Sequence, residues 1–218
     1  YLKEYYTIVN ENFPVLHWEM EYGDDNQEFS FHADEILRLA EEVIRFEGDS
    51  HQLQEMKMEM YYVKGRFDIA IGEYETGLAN IRASEAIAEA LNDKKARLNN
   101  YKQMIFYGIQ IENLPLVKKY VEEGMKLIDE TDIDDKGIFM RLKGWYLLHE
   151  GRYEEARSLL TQAREFFENR DGGSGQYAMN IAACYNYIGD VCREMKEYQS
   201  ALSYYKIAIC HRGIYLLI

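Results

Sequence analysis

The sequence predicts an all-α protein, an array of antiparallel helical hairpins stacked on one another. Three observations carry that prediction. Only 2 prolines occur in 218 residues while 29% of residues are charged, and Glu, Lys, Arg, Leu and Ala lose little rotamer freedom in a helix. The hydrophobic content of 47% supports a folded core and excludes a wholly disordered chain. Finally, a close-contact position in a first helix and a small-residue position in a second stand 12 apart four times: 58 and 70, 105 and 117, 144 and 156, 189 and 201.

Residues 1–50 are expected to form an N-terminal hairpin or cap. Tyr1 to Asn10 reads as a helix. Phe13-Pro14 reads as a break, because the residue before proline avoids the helical region. Trp18 is expected in the core and Gly23-Asp24-Asp25-Asn26 in a loop. From Ala33 to Phe46, Ile36, Leu37, Ala40, Val43 and Ile44 recur at helical period.

Residues 51–212 carry the repeating units. The clearest has Tyr185, Ile188, Gly189 and Cys192, then Tyr198, Ala201, Tyr205 and Ala208. Another has Met140, Gly144 and Leu147, then Tyr153, Ala156, Leu160 and Ala163, with Gly151-Arg152-Tyr153-Glu154-Glu155-Ala156 as the turn and helix start. Gly65-Arg66-Phe67-Asp68-Ile69-Ala70 is read as the same turn in an earlier unit, followed by Tyr74 and Gly77. A degenerate unit between them has Tyr101, Met104, Ile105, Val117, Val121 and Gly124. Small residues let two helix backbones approach at a crossing. Tyr74 and Tyr205, four residues further along, are expected to fill the space above. One hairpin cannot cover its own apolar face, so the units must stack.

These residues resemble the tetratricopeptide repeat, W-x2-L-G-x2-Y…A-x3-F, with Tyr185 in place of Trp and Cys192 in place of the second aromatic. Lys143 replaces the usual Leu in its unit. The small-residue positions 70, 117, 156 and 201 lie 47, 39 and 45 apart, where the family repeats every 34 or so. Such stretched repeats are similar to those in the regulatory arms of large bacterial transcription regulators and in peptide-sensing signalling proteins. The resemblance implies a right-handed α-α superhelix of about five hairpins, a tetratricopeptide-like solenoid.

The 25 basic and 38 acidic residues leave a net charge of -13. That balance disfavours nucleic acid and anionic membrane surfaces, whose affinity comes from cationic side chains, and it would steer in a partner with a basic patch. No signal peptide and no apolar run of ~18 residues appears. The chain begins at Tyr1 and ends on the apolar stretch 213–218. It is therefore expected to be a piece cut inside a repeating structure, with 213–218 the start of a truncated helix. The exposed Ile214 to Ile218 tail is expected to favour self-association.

Local signatures of chemistry are weak. Cys184, Cys192 and Cys210 lack C-x-x-C spacing. The first two read as core side chains in a chain of the reducing cytoplasm. Gly172-Gly173-Ser174-Gly175 lacks the lysine of a P-loop and reads as a flexible connector. Asp132-Ile133-Asp134-Asp135-Lys136-Gly137 begins like a calcium loop, but Lys136 and Lys143 occupy ligand positions. Asp129 to Asp135 reads instead as a turn capping a helix that starts near Gly137. His17, His32, His51, His149 and His211 form no metal-ligand pair. No nucleophile elbow occurs. No cofactor is expected, and a binding protein is favoured over an enzyme assembled from scattered residues.

In the tetratricopeptide family the first helix of each pair lines a concave groove that takes a protein or peptide. Carried over, the resemblance assigns to that groove Tyr62, then Lys102, Phe106 and Ile109, then Arg141, Trp145, Leu148 and His149, and last Asn186, Asp190 and Arg193. Arg141 and Trp145 are singled out because arginine and aromatics dominate binding hot spots, and Asn186 because its amide both donates and accepts. Phe106 and Trp145 equally suit packing between helices. The carboxylate clamp of some co-chaperones needs a basic and asparagine set that is incomplete here. The leading expectation is the interaction or sensor arm of a larger bacterial cytoplasmic regulator. The alternative is a peptide-gated regulator of the quorum-sensing type.

Overall fold

A computed structural model describes residues 1–9, 11 and 27–215, with side chains described for 1–9, 11, 35–211 and 213. The readings of Phe13-Pro14, Trp18, Gly23 to Asn26 and the terminal apolar tail lie outside those residues. The described residues are helical throughout apart from their turns: α1 (2–9), α2 (Gln27–Arg45), α3 (His51–Ala70), α4 (Tyr74–Ala90), α5 (Lys94–Gln110), α6 (Leu114–Leu127), α7 (Ile133–His149), α8 (Tyr153–Asp171), α9 (Ala178–Glu194) and α10 (Tyr198–Tyr215). They fall into two compact units, Tyr1–Tyr107 and Gly108–Ile218.

Five turns share one backbone design. Each has three residues, 71–73, 91–93, 111–113, 150–152 and 195–197, and the middle one is left-handed: Gly72, Asn92, Glu112, Gly151 and Lys196. In each, the third residue's N–H donates to a carbonyl five residues back, as in Arg152 to Leu147 at 3.0 Å and Glu197 to Cys192 at 2.8 Å. Its own carbonyl then accepts from the residue four further on in the next helix, as Arg152 does from Ala156 at 2.9 Å. Asp93 and Asn113 add a side-chain cap, accepting from Ala96 at 2.9 Å and Leu116 at 3.0 Å. The repeat is therefore written in the turns as well as in the apolar face.

In the first unit, Val9, Ile36, Leu39, Ala40, Val43, Met56, Met60, Val63 and Phe67 pack as one core. Lys64 pairs with Glu41 at 2.8 Å, and the Tyr6 hydroxyl donates to Glu59 at 2.6 Å. Here the sequence register needs correction. Gly65 to Ala70 is no turn but the last part of α3, and Ala70 is exposed. The true turn is Gly72-Glu73, with Tyr74-Glu75-Thr76-Gly77 as the helix start. Gly65 is the close-contact residue: a Cβ there would lie 2.7 Å from Ile81 and 2.9 Å from the Gly77 carbonyl oxygen. The pair 65 and 77 is again 12 apart, and the small positions 77, 117, 156 and 201 are spaced by 40, 39 and 45. Tyr74 does not cover that crossing; it stands at the start of α4, its ring 5.6 Å from Tyr107.

In the second unit the register holds. A Cβ on Gly144 would lie 2.5 Å from Leu160, and one on Gly189 2.6 Å from Tyr205. Ala156, Ala163, Phe167, Ile181 and Ile188 are buried around these crossings. Two loops differ from expectation. The glycine-rich segment after α8 is folded around Asp171, whose carboxylate accepts from Tyr177 at 2.7 Å and Gly175 at 3.0 Å. Helix α7 starts at Ile133, earlier than Gly137, with Asp132 as its N-cap residue; the Asp132 carboxylate accepts from the Asp129 N–H at 2.9 Å and makes no cap bond to the helix.

Candidate functional site

The first helices of the hairpins, α3, α5, α7 and α9, carry all the groove residues expected from sequence. In the first unit Tyr62 is half-buried on α3, with Gln103 Nε2 3.4 Å from its hydroxyl and the Arg66 guanidinium 5.6 Å over its ring. It lines a cavity of about 290 Å³ with Met58, Glu59, Ser84, Asp93, Lys95, Ala96 and Asn99. Beside this cavity, fully buried Asn100 donates to Ser84 Oγ at 3.1 Å. Lys102 is half-buried and Phe106 is 40% exposed on α5. Phe106 is thus a surface aromatic and not core.

Ile109 belongs to the second unit and is half-buried. On α7, spacings of four and three residues put Arg141, Trp145 and Leu148 on one stripe, and all three are buried. Trp145 packs between helices, with 9% of its surface left. His149 is exposed and stacks on the Trp145 ring at 3.8 Å. Its Nδ1 lies 2.9 Å from the Trp145 carbonyl oxygen, where an Nδ1–H donates.

Four expected residues meet around one cavity. Leu148 and His149 of α7 and Asp190 and Arg193 of α9 line about 230 Å³ with Tyr153 and Glu194. Arg193 holds Asp190 at 3.1 Å and Glu194 at 3.1 Å. Tyr205 also donates to Asp190, at 2.8 Å. Burial, then that bond to a carboxylate, push the Tyr205 phenol up to about 12. Asp190 is therefore held from two sides, while no acid among the described residues pairs with His149. Asn186 is half-buried on α9 and lies outside the lining of this cavity. Tyr153 and Glu194 were missed by sequence reasoning. Both flank three-residue turns, the feature that brings the end of a first helix beside the start of a second.

Burial pushes the Cys184 thiol up to about 12 and raises that of Cys192, so neither is a ready thiolate. Among the described residues no group of three His, Cys, Asp or Glu side chains could hold a metal ion. Among them, too, no helix is long and apolar enough to cross a membrane. Residues 138–209, covering most of α7 and running into α10, match a family model described as tetratricopeptide repeat. No curated protein matches the chain.

Proposed function

We propose that this chain, which belongs to the tetratricopeptide repeat family through residues 138–209, is a non-enzymatic scaffold that binds an extended peptide or protein segment along its first helices. One observation carries the reading: Leu148, His149, Asp190 and Arg193, from two successive first helices, surround a single surface cavity. A cavity lined by one leucine, two rings and paired charges suits a side chain of a bound segment, since such sites bury an anchor and fix it with placed polar contacts. The larger setting is the interaction arm of a cytoplasmic regulator. The stretched repeat spacing supports that setting, as it is shared with regulators of this kind.

A random peptide library displayed on phage, selected on the purified chain, tests the reading. His149→Ala with Arg193→Ala is the control, because both side chains are exposed and their loss should leave the fold intact. Peptides captured by the parent and lost by the double variant support the proposal. Failure to select any peptide, or equal capture by both proteins, contradicts it.

A further inference from the structure

Arg141 combines burial with the lack of a partner among the described residues. Its side chain is 8% exposed, and its buried Nε meets no acceptor among the described residues. No hydrogen bond or ion pair joins its guanidinium to any of them. Other arginines of the same unit are compensated: Arg157 pairs with Glu197 at 2.7 Å, and Arg164 with Glu165 at 2.9 Å. Removing a guanidinium from water without an opposing charge is costly. A packing role would be met more cheaply by methionine or leucine.

The surroundings favour an anion from outside. The positive charges of Arg141 and Arg164 both act on the Cys184 thiol, opposing the burial that raises it. Nε is the nitrogen of Arg141 that counts among the buried unpartnered atoms, and 8% of the residue remains open to contact from outside. One turn further along α7, Trp145 and the stacked His149 form an aromatic shelf. An ionic contact next to such a shelf is partly shielded from water and correspondingly stronger. Asp190 and Glu194, the acids that line the cavity beside His149, are both engaged by Arg193.

We propose that Arg141 receives the side-chain carboxylate of an Asp or Glu in the bound peptide, next to the residues that cover Trp145 and His149. The inference rests on the peptide-binding reading above and names the chemistry of its ligand. The guanidinium fork matches a carboxylate in plane and donor spacing. The net charge of -13 is a sum over the whole chain, whereas the local field at an unpaired guanidinium is positive.

The probe is a peptide selected from the random library by the parent chain. An acidic residue should recur at one position, and Glu→Gln there should weaken binding about tenfold or more. Arg141→Met should cause a similar loss, with no further loss when both changes are combined. Amidating the peptide's C-terminus should change nothing. Arg141→Met should melt at or above the parent temperature, because it removes an uncompensated buried charge. Peptides without a recurring acid would overturn the proposal, as would unchanged affinity in Arg141→Met or dependence on the terminal carboxylate. The peptide exchange needs no protein variant and so decides the matter even if Arg141→Met folds poorly. Selection of no peptide at all would sink the scaffold reading too, whereas peptides that need His149 and Arg193 but carry no acid would sink this inference alone.

Discussion

Gly65 on α3 faces Ile81 on α4 so closely that a Cβ added to the glycine would stand 2.7 Å from the isoleucine side chain. The Gly77 carbonyl oxygen would be 2.9 Å away, and backbone cannot move aside as a side-chain tip can. Gly65→Ala should therefore destabilise the chain by about 1–3 kcal/mol through overpacking. Ala70, exposed at the end of the same helix, should accept Arg with a change within about 0.5 kcal/mol. Thermal melting of both variants checks the register: the opposite order would restore Ala70 to the crossing.

The left-handed turn centres give a second expectation. Lys196 at φ 65 and Glu112 at φ 54 carry side chains where Gly72 and Gly151 carry none. An L-residue in that region costs roughly 1–2 kcal/mol, offset in part by the greater unfolded freedom of glycine. Lys196→Gly should raise stability by about 0.5–1 kcal/mol, and Gly151→Ala should lower it by a similar amount. Denaturant titration distinguishes these signs.

Acid should loosen the α8–α9 loop. Backbone N–H donors, Tyr177 first and then Gly175, hold the Asp171 carboxyl below its ordinary value. A carboxyl depressed on folding contributes stability that is present above its unfolded pKa, about 3.9, and is lost as pH falls through the lower folded value. Asp171→Asn should cost about 1 kcal/mol at neutral pH, discounted for the group's exposure. The parent and the variant should converge at acid pH. A constant difference between them across that range would show that the carboxylate charge does not organise the loop.

The legibility of this chain followed its glycines. Gly144 with Ala156 and Gly189 with Ala201 announce their crossings because few other residues fit two backbones so close, and the second unit was read in register. In the first unit, Gly65-Arg66-Phe67-Asp68-Ile69-Ala70 imitates the turn Gly151-Arg152-Tyr153-Glu154-Glu155-Ala156 almost letter for letter. Local pattern cannot separate the two, because a helix interior and a helix start can share the same side chains. The signal that separates them is spacing: Gly72-Glu73-Tyr74-Glu75-Thr76-Gly77 fits the turn equally well and gives an interval of 40, near the following 39.

The site was legible only where it lies along single helices. Leu148 with His149 and Asp190 with Arg193 fall where helical period puts them, and the contact between α7 and α9 joins the pairs. The cavity around Tyr62, Ser84 and Asp93 draws on three elements and leaves no mark in any one of them. That Arg141 meets no acid among the described residues is likewise invisible in sequence, since the chain holds 38 acidic residues.

The most direct test of the central claim is a map of backbone amide chemical-shift changes when a selected peptide is titrated into the chain. The account predicts that the largest changes fall on α7 from Arg141 to His149 and on α9 from Asn186 to Arg193. Changes concentrated on α8 and α10, with α7 and α9 silent, would contradict it.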